Sequence, residues 1–206
     1  MSTVSLDEFL KPISQALGRT EPPTYVEPCE ATHAPLPGDY RDYSVAELSE
    51  WFKTEAAKMG TIVRESSREN VAQTVVDLAK EIGQDGHIVY ADVPEIDAYQ
   101  IPDALRAASF ETERWNPETR EKSVGRAENA SIGITFASAG IAETATIMQR
   151  CTEKSGRAIC LLPIGHIALL RKSDLFPYMT QLMVFYLFGL DIAAKKGLLA
   201  AERLKE

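Results

Sequence analysis

Glu143 is the residue of this sequence best placed to do chemistry. It follows the small residues Ser138-Ala139-Gly140, just past the expected C-terminal end of a strand at Ile132–Phe136. In open α/β sheets ligands gather at the carboxyl ends of strands, and small residues let a ligand approach the backbone. A carboxylate there can orient a substrate hydroxyl or act as a general base, which makes Glu143 the candidate catalytic residue. The competing reading is that Glu143 accepts backbone N–H groups and only fixes the turn. Gly140, Thr144, Thr146 and His166 complete a candidate substrate-binding set. The threonine hydroxyls could donate to a carboxylate, although alternation with Ala145 and Ile147 also fits one polar face of a strand. His166 lies between two apolar runs, where a hydrogen-bonded core or rim histidine is the ordinary outcome and a ligand-facing imidazole the alternative.

Other chemistries lack their residues. The three cysteines, Cys29, Cys151 and Cys160, are far apart and form no C-x-x-C pair. An iron–sulfur cluster needs several closely spaced thiolates and structural zinc a comparable set, so no metal or cofactor is expected on this chain alone. Phe136-Ala137-Ser138-Ala139-Gly140 lacks the first glycine of a nucleophile elbow, and there is no G-x-G-x-x-G or P-loop. A net charge of −8 argues against nucleic-acid binding, because Arg171-Lys172 and Lys195-Lys196 are too few to neutralise a phosphate backbone. The longest apolar run, Leu182 to Leu190, is far short of the roughly 20 residues that span a bilayer. With no secretory signal and an odd, dispersed cysteine set, a soluble protein of a reducing, cytoplasmic compartment is expected.

The elements that must position these side chains follow from periodicity and caps. Ser5 with Glu8, Ser44 with Glu47 and Ser66 with Glu69 have capping-box spacing, and each precedes apolar residues at helical intervals. Residues 19 to 43 hold five of the eleven prolines and read as an extended arm, leaving residues 1–43 as a helix plus arm and 44–206 as the main domain. Thr61-Ile62-Val63 and His87 to Ala91 alternate with the helices as expected strands. Ile101 to Ala108 reads as a helix and Phe110 to Trp115 as a strand, and Asn116-Pro117 opens another helix. Beyond Ala130, strands are expected at Ile132–Phe136, Thr144 to Met148, Ala158 to Leu162 and Ile167 to Leu170. From Ser173 a helical stretch follows, with a break near Gly189 or Gly197. Residues 178–190 are apolar on nearly all faces, which calls for core burial or a homo-oligomer interface.

Ser131 to Leu170 resembles the core of the lactate-utilization protein C (LUD-domain) family. That family shows a "GIT" strand, "IAETGT", a Gly/Arg loop and "LLPPxHIA". Here they stand as Gly133-Ile134-Thr135, Ile141-Ala142-Glu143-Thr144-Ala145-Thr146, Ser155-Gly156-Arg157 and Leu161-Leu162-Pro163-Ile164-Gly165-His166-Ile167-Ala168. Ala145 replaces a glycine and Gly165 a proline, and nothing like the family's later "SGPSRTADIE" and "GVHGP" follows Tyr178. The resemblance implies a three-layer αβα fold with a mainly parallel sheet, similar to the sugar-phosphate isomerase and CoA-transferase (NagB/RpiA-like) group. It also implies an accessory, non-redox role in oxidising L-lactate to pyruvate beside cysteine-rich iron–sulfur partners. The alternatives are a stand-alone enzyme of the isomerase/CoA-transferase type using Glu143, and an inactive scaffold.

Overall fold

A computed structural model describes residues 5–21, 43–83 and 86–187. Backbone contacts divide the chain into two units, residues 1–42 and 43–206. In the first, α1 (Leu6–Ala16) starts at a capping box in which Ser5 Oγ accepts from Glu8 N–H and Glu8 returns a bond to Ser5 N–H. Most of the proline-rich arm and Cys29 lie outside the described residues.

The second unit opens with α2 (Val45–Lys58), also entered through a reciprocal capping box, here Ser44 with Glu47. Leu48, Phe52 and Ala56 form its buried face, and Gly60, at φ +71°, ends it in the left-handed conformation that glycine adopts without steric cost. The third capping box does not form. Ser66 Oγ pairs with Thr74 Oγ1 instead, and α3 (Val71–Ile82) starts later, after Asn70, with no side-chain cap. The stretch 61–67 between the helices belongs to no strand, contrary to the expectation for Thr61-Ile62-Val63.

There follow β1 (Ile88–Tyr90), the short helices α4 (Pro94–Ala98) and α5 (Ile101–Ala107), β2 (Thr112–Arg114), a 3-10 turn capped by Asn116, α6 (Arg120–Glu128) and β3 (Ile132–Phe136). Next come β4 (Ala139–Ile141), β5 (Thr146–Met148), α7 (Ala158–Leu161), β6 (Gly165–Leu169), β7 (Leu175–Phe176) and α8 (Met179–Leu187). Three expectations fail here. Ala139 and Gly140 are strand rather than turn, Ala158–Leu161 is a helical turn rather than a strand, and Ser173 lies within a 3-10 turn, Lys172–Asp174, leading to β7 rather than opening a helix. In α8, Leu182 is buried while Met179 and Met183 stay partly exposed; residues 188–206 lie outside the described residues, with the breaks expected there.

Strands β2-β1-β3-β6 form one parallel sheet, and β5-β4-β7 a smaller mixed one. Parallel strands need crossovers that cover both faces, and the sequence supplies apolar residues for each. Ile132 pairs with Gly165, and a side chain at Gly165 would collide with Ile82 of α3, so α3 lies on that face with α5 packed beside it. Gly133 points the other way, where an added Cβ would run into the carbonyl of Ile159 in α7, and α6 packs against α7. The result is three layers: two helices, sheet, two helices. Ile88, Ile96, Ile101, Leu105, Ile132, Ile134 and Ile159 are fully buried between them.

Gly133 permits a backbone-to-backbone approach that no side chain tolerates. Gly133→Ala is therefore expected to cost about 3 kcal/mol or prevent folding, read as the shift in the urea unfolding midpoint.

Candidate functional site

Among the described residues β6 is an edge strand, and the site is built along it. Gly165 N–H donates to the Ser131 carbonyl and Leu169 C=O accepts from Ala137 N–H. These bonds turn the backbone groups of Gly165, Ile167 and Leu169 toward β3. By the two-residue period of a strand, those of His166 and Ala168 face the free edge. Along that edge lies a cavity of about 800 Å³. Its far wall is the irregular stretch 60–68; α2 contributes Phe52 and Lys53, α3 contributes Val71 and Leu78.

The wall 60–68 is anchored by one carboxylate. Glu65 accepts from Lys172 Nζ at 2.6 Å and Ser49 Oγ at 2.8 Å, with Lys53 Nζ at 3.0 Å. The Lys172 hydrogen bond foremost, then Lys53 and Ser49, holds its pKa down at about 2. Lys172 follows β6 closely and Lys53 belongs to α2, so a single anion ties the wall to two elements. Arg171 reaches Glu95 at 3.1 Å and lies 4.7 Å from the centre of the Phe136 ring, and Arg68 sits 5.8 Å from that of Tyr99.

His166 lines the cavity. Its Nε2 is 2.7 Å from the hydroxyl of Thr135, which is wholly buried. The imidazole keeps open surface toward the cavity, yet the surrounding walls strip enough water to lower its pKa below the ordinary 6.5. It is a neutral hydrogen-bonding group at pH 7.

The other expected residues lie elsewhere. Glu143 and Thr144 sit in the four-residue loop of the β4–β5 hairpin, not at the end of β3; they and Thr146 are exposed, and none lines this cavity. Glu143 N–H donates to the Pro177 carbonyl, and the two threonine hydroxyls are 2.8 Å apart. It is Ala145 and Ile147, the alternate residues of the same hairpin, that face the cavity. Gly140 is buried, with Leu170, Leu175 and Phe52 filling the space where its side chain would be. The structure therefore brings His166, but not Glu143, Thr144, Thr146 or Gly140, to the cavity. Glu65, Arg68, Thr135 and Arg171 were not singled out in the sequence; "GIT" and the Arg171-Lys172 pair were visible, but nothing marked them as neighbours. Among the described residues no three His, Cys, Asp or Glu gather as a metal site, and Cys151 and Cys160 are free thiols.

Two outcomes follow. Ala145 has φ +49°, a conformation costly for any residue with a Cβ, so Ala145→Gly should raise stability by roughly 0.5–1 kcal/mol in thermal or urea unfolding. His166 has its folded pKa below its unfolded one, so its contribution is unchanged above the unfolded value and turns destabilising as pH falls below about 6.5. His166→Gln should flatten the stability loss measured between about pH 7.5 and about pH 5.5. The Glu65 contribution is separable, because a lowered carboxylate pKa is lost only from about 4.5 down to about 2.

Comparison with known proteins agrees with this architecture. The lactate utilization protein C of Geobacillus sp. (strain WCH70) is 29% identical over 179 residues, covering 85% of this chain and 74% of that protein. That of Exiguobacterium sp. (strain ATCC BAA-1283 / AT1b) is 33% identical over 178 residues, covering 85% and 73%. The uncharacterized protein YkgG of Escherichia coli (strain K12) is 28% identical over 181 residues, covering 85% and 75%. A crystal structure of a DUF162 family protein from Deinococcus radiodurans shares the fold, with a TM-score of 0.54 and 18% identity over 75% of this chain and 83% of that one. Residues 49–197, which hold the parallel sheet, its covering helices and the cavity, match the LUD domain, and the chain belongs to that family.

Proposed function

We propose that this protein acts in lactate utilization as an accessory subunit of an iron–sulfur system that oxidises L-lactate to pyruvate. The observation carrying the proposal is the match to proteins named lactate utilization protein C over 85% of the chain. Converting a hydroxy acid to a keto acid removes two electrons, which must pass to a redox centre. A cluster needs thiolates in number, and three dispersed cysteines do not supply them. The electrons are therefore assigned to cysteine-rich partner proteins, and this chain to assembly around them. The fold relation to the NagB/RpiA-like group belongs to the same proposal. So does placement in the cytoplasm, with which the described residues are compatible, none of their helices being long and apolar enough to cross a membrane.

Deletion of the gene is expected to abolish or slow growth on L-lactate while sparing growth on pyruvate, and the tagged protein is expected to co-purify with an iron-containing partner. Normal growth on lactate together with purification free of iron would overturn the proposal.

A further inference from the structure

We propose that the cavity along β6 binds a neutral nitrogen heteroaromatic ring in which a ring nitrogen lies beside an exocyclic amino group, the edge shared by adenine and pterin. The hydrogen-bonding pattern of the strand carries the proposal. Among the described residues β6 pairs with β3 alone, so the outward groups of His166 and Ala168 have no ladder partner. In an extended strand the carbonyl of one residue and the N–H of the residue two further on point to the same side. The His166 C=O and the Ala168 N–H therefore stand next to each other on the free edge, an acceptor beside a donor, and both residues line the cavity. Their complement is a donor beside an acceptor held in one plane. An amino group next to a ring nitrogen has that arrangement, and it is by such an edge that a base is read.

The walls suit the faces of a ring. A ring lying in the plane of the sheet turns one face to the side of β6 that carries Val71 and Leu78 of α3, and the other to the side that carries the neutral imidazole of His166. Toward the C-terminal end of the strand, Tyr99 and Phe136 form a tilted pair with centres 6.2 Å apart. The Arg68 guanidinium lies 5.8 Å from the centre of the first ring, and that of Arg171 lies 4.7 Å from the second. Aromatic and guanidinium planes of this kind extend by offset stacking with a further π-system. Small-molecule sites measure roughly 300–1,000 Å³ and are lined mainly by apolar groups with a few polar ones. At about 800 Å³ this cavity has that size, with space beside the ring for substituents.

Charge decides what part of a ligand is recognised. Lys53 and Lys172 are held by Glu65 at 3.0 and 2.6 Å, Arg171 by Glu95 at 3.1 Å and Arg64 by Glu81 at 3.4 Å. A lining whose cations are largely paired offers no cluster for a phosphate chain, because each contact would have to break an existing ion pair. The uncharged ring is left as the recognised part. The inference goes beyond the subunit reading and does not rest on it.

The probes are adenine and pterin, two sources of the same edge, titrated into the full chain by calorimetry and followed in ¹H–¹⁵N NMR spectra. Expected are saturable binding of at least one, little weakening between about 0.05 M and about 0.5 M salt, and a shifted Ala168 amide resonance. N6,N6-dimethyladenine keeps the ring but loses the donor, and should bind at least about tenfold more weakly than adenine. Ala168→Pro removes the outward N–H and spares the ladder, since an edge strand accepts proline where the N–H faces away from the sheet. It should lower affinity at least about tenfold, with urea unfolding as the check that the fold survives. A preference for adenine or for pterin names the source, and either supports the site. No binding of either ring, equal binding of the dimethylated ring, or an unmoved Ala168 amide overturns it. Equal binding of ATP and GTP that collapses with salt overturns it in favour of a phosphate site.

Discussion

The pairing of β6 with β3 is the constraint on which the site depends. Once Gly165 N–H is committed to the Ser131 carbonyl, the period of two fixes every later group on β6. Gly165, Ile167 and Leu169 send their backbone groups inward to β3, while His166 and Ala168 send theirs outward. The same register fixes the side chains. His166 stands beside Gly133 on the α7 face, one rung from Thr135, and so the imidazole meets that buried hydroxyl. A slip of one residue would exchange His166 with Ile167 and place an imidazole against α3. Gly133 and Gly165, one from each strand, prevent this by admitting Ile159 on one face and Ile82 on the other. Each helix layer is thus seated on the missing side chain of a sheet strand, α7 on Gly133 of β3 and α3 on Gly165 of β6.

The parts legible in the sequence are those whose signals are local. Ser5–Glu8 and Ser44–Glu47 form real capping boxes because each serine hydroxyl meets the N–H three residues on and each glutamate carboxylate reaches back to the serine N–H. Ser66–Glu69 has the same spacing and fails because Ser66 Oγ finds Thr74, and the preceding stretch is held by Glu65 through residues on α2 and beyond β6. Ala158–Leu161 misleads for a different reason. Four apolar residues carry too little periodicity to distinguish a helical turn from a buried strand, and tertiary packing against Gly133 decides it. Ala139-Gly140 was read as a turn for its small side chains, yet Gly140 is small because Leu170, Leu175 and Phe52 crowd it within a strand.

The site shows the same division. His166 could be found because a lone polar residue in an apolar stretch is conspicuous, and its place on an edge strand makes it line the cavity. Glu143 was equally conspicuous, but its position rested on β3 leading directly to it. The unforeseen strand β4 intervenes and carries it out to a hairpin loop of the second sheet. There the left-handed Ala145 turns the chain back, so that the alternating residues Ala145 and Ile147 reach the cavity wall and Thr144 and Thr146 do not. Glu65 and Arg68 could not have been anticipated, because irregular chain has no period from which a facing direction can be read.

The electrostatics of the cavity give the imidazole a specific place among the cations. A protonated His166 would bring a charge with no carboxylate partner beside it among the described residues, whereas Lys53, Arg64, Arg171 and Lys172 around the cavity are each paired with Glu or Asp. Burial resolves this by favouring the neutral ring, which satisfies the Thr135 hydroxyl without asking for a counter-ion. The imidazole is thus the uncharged polar group of a lining whose other ionisable side chains are largely ion-paired.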